Sequence, residues 1–112
     1  SITKGYSSLL IAAVTLAIKT NNFDAFMDEL EFSQPKIFDD LKKLKSIPSK
    51  AHRWIGEMNE ISNTFIENGI SGNFHKGSFD IYSKVSDSNL GKKRLSPNEI
   101  SLEGKDFFKN IQ

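Results

Sequence analysis

Ser49, Lys50, His52 and Arg53 place three side chains able to carry positive charge and a hydroxyl within five residues. Pro48 lacks an N–H and has a fixed φ, and Ser49 is a good N-cap, so the sequence predicts a helix starting near Ser49 or Lys50. Cations in a first helical turn lie beside free backbone amides and the positive end of the helix dipole, an arrangement suited to phosphates and base edges. Glu57, Glu60 and Glu67 fall further along the same helix, away from that entrance. A second cationic group, Lys92, Lys93 and Arg94, follows Gly91. Three adjacent cations on a tip add affinity for a nucleic-acid backbone that depends on salt and is largely blind to sequence. Double-stranded DNA is therefore the expected partner, with Ser49, Lys50, His52 and Arg53 entering a groove and Lys92, Lys93 and Arg94 clamping the flank.

Other chemistry finds little support in residue types and spacing. His52 and His75 stand 23 positions apart with no cysteine in the chain and no HExxH arrangement, so neither a metal centre nor a nucleophile and base pair is expected. Gly69, Gly72 and Gly77 are not followed by a Gly-Lys-Ser/Thr run, which removes a phosphate-cradling loop. No catalytic residue and no cofactor is expected. The lack of cysteine is compatible with a reducing cytoplasm, the expected location. At 112 residues the chain is long enough for one domain with its own core. Its net charge is only +1, so nucleic-acid binding must rest on local clusters.

The elements that position these groups follow from hydrophobic periodicity. Tyr6 to Lys19 predicts a helix apolar on nearly every side, short of the roughly 20 residues that span a bilayer and without a cationic leader. Such a helix must be covered on most sides, either as the central helix of a monomeric domain or by a partner chain, and in the second case Leu10, Val14 and Ile18 are expected to form a homodimer contact. Phe23 to Leu30 predicts a short helix, and Ser33 to Lys45 a third with Ser33 as its cap. Ser49 to Asn68 is the fourth, with Trp54, Ile55, Met58, Ile61, Phe65 and Ile66 on one stripe and Gly69 as its stop. Phe79, Ile81, Tyr82 and Val85 then predict a strand, Glu99 to Leu102 a returning strand, and Gly104 to Ile111 a last helix.

Two stretches resemble a known family. Residues 27–46, MDELEFSQPKIFDDLKKLKS, look like the helix-turn-helix of winged-helix regulators, and FIENGIS followed downstream by ISLEGKDFFKNI resembles the end of the recognition helix, the wing and the next helix of MarR-like regulators. The resemblance implies an α+β winged helix, residues 1–112 as one domain, with Ser78 to Leu102 as a β-hairpin wing and a role in transcriptional repression or plasmid or phage partition. Of the two candidate reading helices, Ser33 to Lys45 would present Asp39 and Asp40 to phosphates, so the Ser49 helix is preferred. The alternative is a helical immunity or inhibitor module whose acids, Asp24, Asp28, Glu29, Glu31, Asp39 and Asp40, meet a basic protein partner.

Overall fold

The computed structural model describes residues 2–112, and among the described residues there is no strand. The chain runs through α1 (Ile2–Lys19), α2 (Phe23–Ser33), α3 (Pro35–Leu41), α4 (Ala51–Glu67), α5 (Asn73–Asp87), α6 (Asn89–Lys93) and α7 (Gly104–Lys109), with 3-10 turns at Lys42–Ser46 and Pro97–Glu99. The fold is helical, so the expected α+β winged helix and its β-hairpin wing are corrected.

The main error lies in α5. Phe79, Ile81, Tyr82 and Val85 read as a strand because they are aromatic or β-branched. In the structure the inward stripe is His75, Ser78, Tyr82 and Val85, at helical steps, and two of its four members are polar. The hydrophobic pattern therefore hides the first half of the helix. Downstream, Ser88 caps α6 by accepting the Gly91 N–H at 3.1 Å. Ser96 and Glu99 form a reciprocal capping box that opens the second 3-10 turn. Caps thus turn the expected loop into short helical pieces, and of the expected returning strand Glu99 closes the 3-10 turn while Ile100 to Leu102 run without regular structure to α7.

Smaller shifts have equally local causes. Ser33 does not cap a helix; it closes α2, its hydroxyl donating to the Glu29 carbonyl, and Pro35 opens α3. Pro48 and Ser49 lie in the turn before α4, and the Ser49 hydroxyl donates to the Ser46 carbonyl at 3.4 Å. α1 begins four residues earlier than the sequence indicates, which makes it long and apolar enough to cross a membrane by length and composition. Leu10, Ile11, Val14 and Ala17 are nevertheless buried within the domain, so one side of α1 is a core surface.

α4 and α5 form an antiparallel pair. Gly69, at φ 75°, ends α4, and the Ile70 N–H donates to the Phe65 carbonyl at 2.9 Å. A turn this short leaves α5 no course but back along α4. Ser62 fastens the turn by donating to the Gly72 carbonyl at 2.8 Å, and the Trp54 and Tyr82 rings meet edge to face at 5.2 Å toward the other end. α1 crosses this pair, and α7 closes the core with Phe107, Phe108 and Ile111.

Gly91 is where α6 presses on the end of α5. A Cβ there would lie 1.9 Å from the Val85 carbonyl oxygen, so the backbone itself must move to admit one. Gly91→Ala is expected to destabilise the fold by about 1–3 kcal/mol, the range for overpacking a filled site. Urea unfolding followed by circular dichroism measures it; a midpoint equal to that of the parent chain would show that α6 is not pinned there.

Candidate functional site

The α4–α5 pair has two ends and one uncovered side, and these hold the residues of functional interest. At the turn end, α5 approaches α1 through His75, whose Nε2 would sit 3.2 Å from a Cβ on Gly5. The missing side chain lets α1 settle onto α5, and Ser8 and Ser78 meet across the contact with hydroxyl oxygens 2.6 Å apart. Beside this crossing runs a groove of about 660 Å³, lined by Ile2, Leu9, Phe65, Phe74 and Ile81 among others. Ile2, Leu9 and Leu16, seven residues apart, stand along one side of α1 with exposures of 88, 64 and 63%. Phe74 on α5 is 72% exposed. A second groove of about 470 Å³ continues past Leu16 and shares Ala12 and Ile81 with the first.

This uncovered side of α1 is not the one the sequence indicated for pairing. Leu10 and Val14 are buried in the core, and Ile18 packs against it half-buried. The repeat of Ile2, Leu9 and Leu16 was present in the sequence; the nearly uniform apolarity of α1 concealed which of its sides the core would take.

At the opposite end, the cations gather. α5 runs antiparallel to α4, so its last residues lie beside the first turn of α4, and α6 follows at once. Lys50 at the N-cap of α4 and Arg53 in its first turn thereby share an end of the domain with Lys92, Lys93 and Arg94, and all five are exposed. None of the five makes an ion pair among the described residues. Elsewhere lysines are engaged: Lys42 with Asp39, Lys43 and Lys36 with Asp40, and Lys45 with Glu103. His52 is half-buried between the two cationic segments, and its Nδ1 has no hydrogen-bond partner among the described residues. Burial, with added repulsion from Arg94 and Arg53, holds its pKa below the ordinary histidine value. His52 therefore joins this end as a neutral ring at neutral pH. Ser49 is half-buried and bonded to Ser46, set back from the cations.

A polar seam lies between the two ends. The Lys4 ammonium meets Glu57 at 2.6 Å and stands 5.1 Å from the centre of the Trp54 ring. The fully buried Tyr82 hydroxyl donates to the Lys4 carbonyl, and burial pushes that phenol above its ordinary pKa. Tyr6 donates to Asp40 at 2.7 Å, and Lys36 reaches the other oxygen of the same carboxylate at 2.5 Å.

A protein-family profile described as Domain of unknown function (DUF1932) matches residues 19–85, more than half of the chain. The chain belongs to this family. DUF1932 is a helical domain found in NAD-binding 3-hydroxyisobutyrate dehydrogenase-like proteins, which corrects the likeness to MarR-type regulators. Of the stretches that carried that likeness, residues 27–46 hold the end of α2, all of α3 and the first 3-10 turn, and the segment from Phe65 onward leads into α5 in place of a wing. The DUF1932 match takes in α2 to α5 up to Val85, including Lys50 and Arg53 but not Lys92 to Arg94. No curated protein and no solved structure matches the chain.

The Asp40 carboxyl is held down to about 2, chiefly by the Lys36 bond and next by the Tyr6 hydroxyl, from an ordinary value of 3.8. Because its folded pKa is depressed, its contribution to stability is complete above pH 4 and is lost as the pH falls toward 2. Melting temperature measured from pH 5 to pH 2 is expected to fall less steeply in Asp40→Asn than in the parent chain. Parallel curves would show that the Asp40 carboxyl titrates alike in the folded and unfolded chain.

Proposed function

We propose that this chain is the helical partner of a nucleotide-binding unit in an NAD-dependent oxidoreductase of the 3-hydroxyisobutyrate dehydrogenase-like kind. The observation that carries the reading is the family match over α2 to α5, since DUF1932 is found in NAD-binding proteins of that kind. The uncovered side of α1 and α5 supports it. Each large apolar side chain left in water forgoes about 1.5–3 kcal/mol of burial, and Ile2, Leu9, Leu16 and Phe74 lie along connected grooves. A continuous apolar strip of this kind is the ordinary mark of a surface that packs against another. In this reading the domain shapes the hydroxy-acid side of the enzyme and holds it in place. Double-stranded DNA binding, expected from the sequence, now has only the cation cluster behind it, and the acidic face proposed for a basic protein partner has Asp40 already engaged by Tyr6 and Lys36.

The test uses the protein isolated natively from its own cells, in whatever polypeptide or complex holds it. Supplied with NAD⁺ and a panel of short 2- and 3-hydroxy acids, the preparation is expected to form NADH, followed by absorbance at 340 nm. Leu9→Asp together with Phe74→Asp should lower that rate at least about tenfold, as loss of a packed apolar anchor does, with helicity unchanged. A preparation that forms no NADH with any acid of the panel would overturn the proposal.

A further inference from the structure

The three cations after Gly91 run directly into a serine. Lys92, Lys93 and Arg94 are followed by Leu95 and Ser96, and of the three prolines in the chain only Pro97 comes straight after a serine or threonine. Leu95 and Ser96 lie outside any helix, Ser96 has extended backbone at φ −68° and ψ 160°, and it is exposed. A segment of this kind offers a modifying enzyme both its backbone and its side chains. The three cations make no ion pair among the described residues, so their charge is open to carboxylates on another protein.

Charge in the sequence does not by itself single out Ser96. Ser46 also follows three cations, Lys42, Lys43 and Lys45. Those lysines pair with Asp39, Asp40 and Glu103, and the Ser46 hydroxyl donates to the Lys43 carbonyl at 3.2 Å. Ser46 closes a 3-10 turn between buried Leu44 and buried Ile47. Drawing it into an enzyme's groove would pull both from the core, whereas Ser96 is flanked by half-buried Leu95 and exposed Pro97.

Ser96 also holds its own turn together. Its N–H and its hydroxyl both donate to one oxygen of Glu99, at 3.0 and 2.9 Å. These bonds keep the Glu99 carboxyl below its ordinary pKa, so it is anionic at neutral pH. We infer that Ser96 is a phosphorylation site for a serine kinase that reads the basic residues before it, and that the added phosphate gives up Glu99 for those cations. In the transfer the Ser96 Oγ attacks the γ-phosphorus of ATP, the bond from that phosphorus to the β–γ bridging oxygen breaks, ADP leaves, and the hydroxyl proton passes to the kinase's base. The resulting ester has no hydroxyl to donate and sets about −1.5 to −2 of charge beside the Glu99 carboxylate, which it repels. Arg94, two residues back and at most about 7 Å away between Cα atoms, offers the phosphate a guanidinium fork. The link between α6 and α7 thereby gains a second arrangement. The site goes beyond the packing role proposed above and rests on no part of it.

The experiment incubates the full chain with ATP, Mg²⁺ and, in separate arms, a base-directed or a proline-directed serine kinase, with sites and rates read by tandem mass spectrometry. In the base-directed arm Ser96 is expected to take phosphate at least about tenfold faster than Ser46, and Lys93→Gln with Arg94→Gln should slow it by a similar factor. No phosphate at Ser96 in either arm, or Ser46 labelled as fast as Ser96, would overturn the site. Labelling by the proline-directed kinase alone, or a rate unmoved by the two Gln substitutions, would overturn recognition through the cations. Amide hydrogen exchange over residues 95–102 then compares the phosphorylated and parent chains. It is expected to quicken several-fold, and an unchanged rate would overturn the loss of the Glu99 contact.

Discussion

The buried Tyr82 hydroxyl, donating to the carbonyl of Lys4, ties together the pieces on which the rest of this structure depends. Tyr82 lies on α5, its ring meets Trp54 of α4, and its acceptor belongs to α1. One side chain therefore sets the register of the α4–α5 pair and the depth at which α1 lies across it. A phenol with no exposure must have its hydrogen-bond partner, because an unmade bond there would cost about 1–3 kcal/mol. The Lys4–Glu57 pair adds an outer brace to the same junction, and its partly exposed setting makes it a minor contributor beside the buried bond.

With that junction fixed, the two surfaces follow from geometry. α1 can give only one side to the core, and its apolarity is so nearly uniform that the opposite side remains apolar in water. The antiparallel return of α5 carries the chain back to the start of α4, so the cations of α6 arrive beside those of α4 without any projecting hairpin. The domain is consequently polarised, with an apolar flank along α1 and α5 and a basic end across α4 and α6. DUF1932 is found in NAD-binding proteins, and the two surfaces of this domain draw on different residues.

Much of the helical layout was readable in the sequence. α1, α2, α4 and α7 follow from apolar residues at three- and four-residue steps, and Gly69 was legible as the stop of α4. α5 was not, since His75 and Ser78 occupy two of its inward positions and periodicity of apolar residues cannot register a polar pair accommodated by a glycine on the facing helix. The stretch from Ser88 to Leu102 was misread for another reason: Ser88 and Ser96 are cap residues, and a cap next to Gly or Pro looks like a loop until its partners are known. Lys50 and Arg53 were expected to meet Lys92 to Arg94 through a wing, and that wing is replaced by the helices α5 and α6. The exposed line of Ile2, Leu9 and Leu16 needed the core before its orientation could be told from that of Leu10 and Val14.

Arg94 follows α6 with φ at 50°, in the left-handed region that residues with a Cβ enter at a cost of about 1–2 kcal/mol. Glycine would make that turn without steric conflict, as Gly69 does at the end of α4. The chain instead bears the backbone penalty at the one position of α6's exit where a guanidinium faces the first turn of α4. Stability and charge are thus opposed at a single residue, and relaxing the turn would come only by discarding the cation it presents.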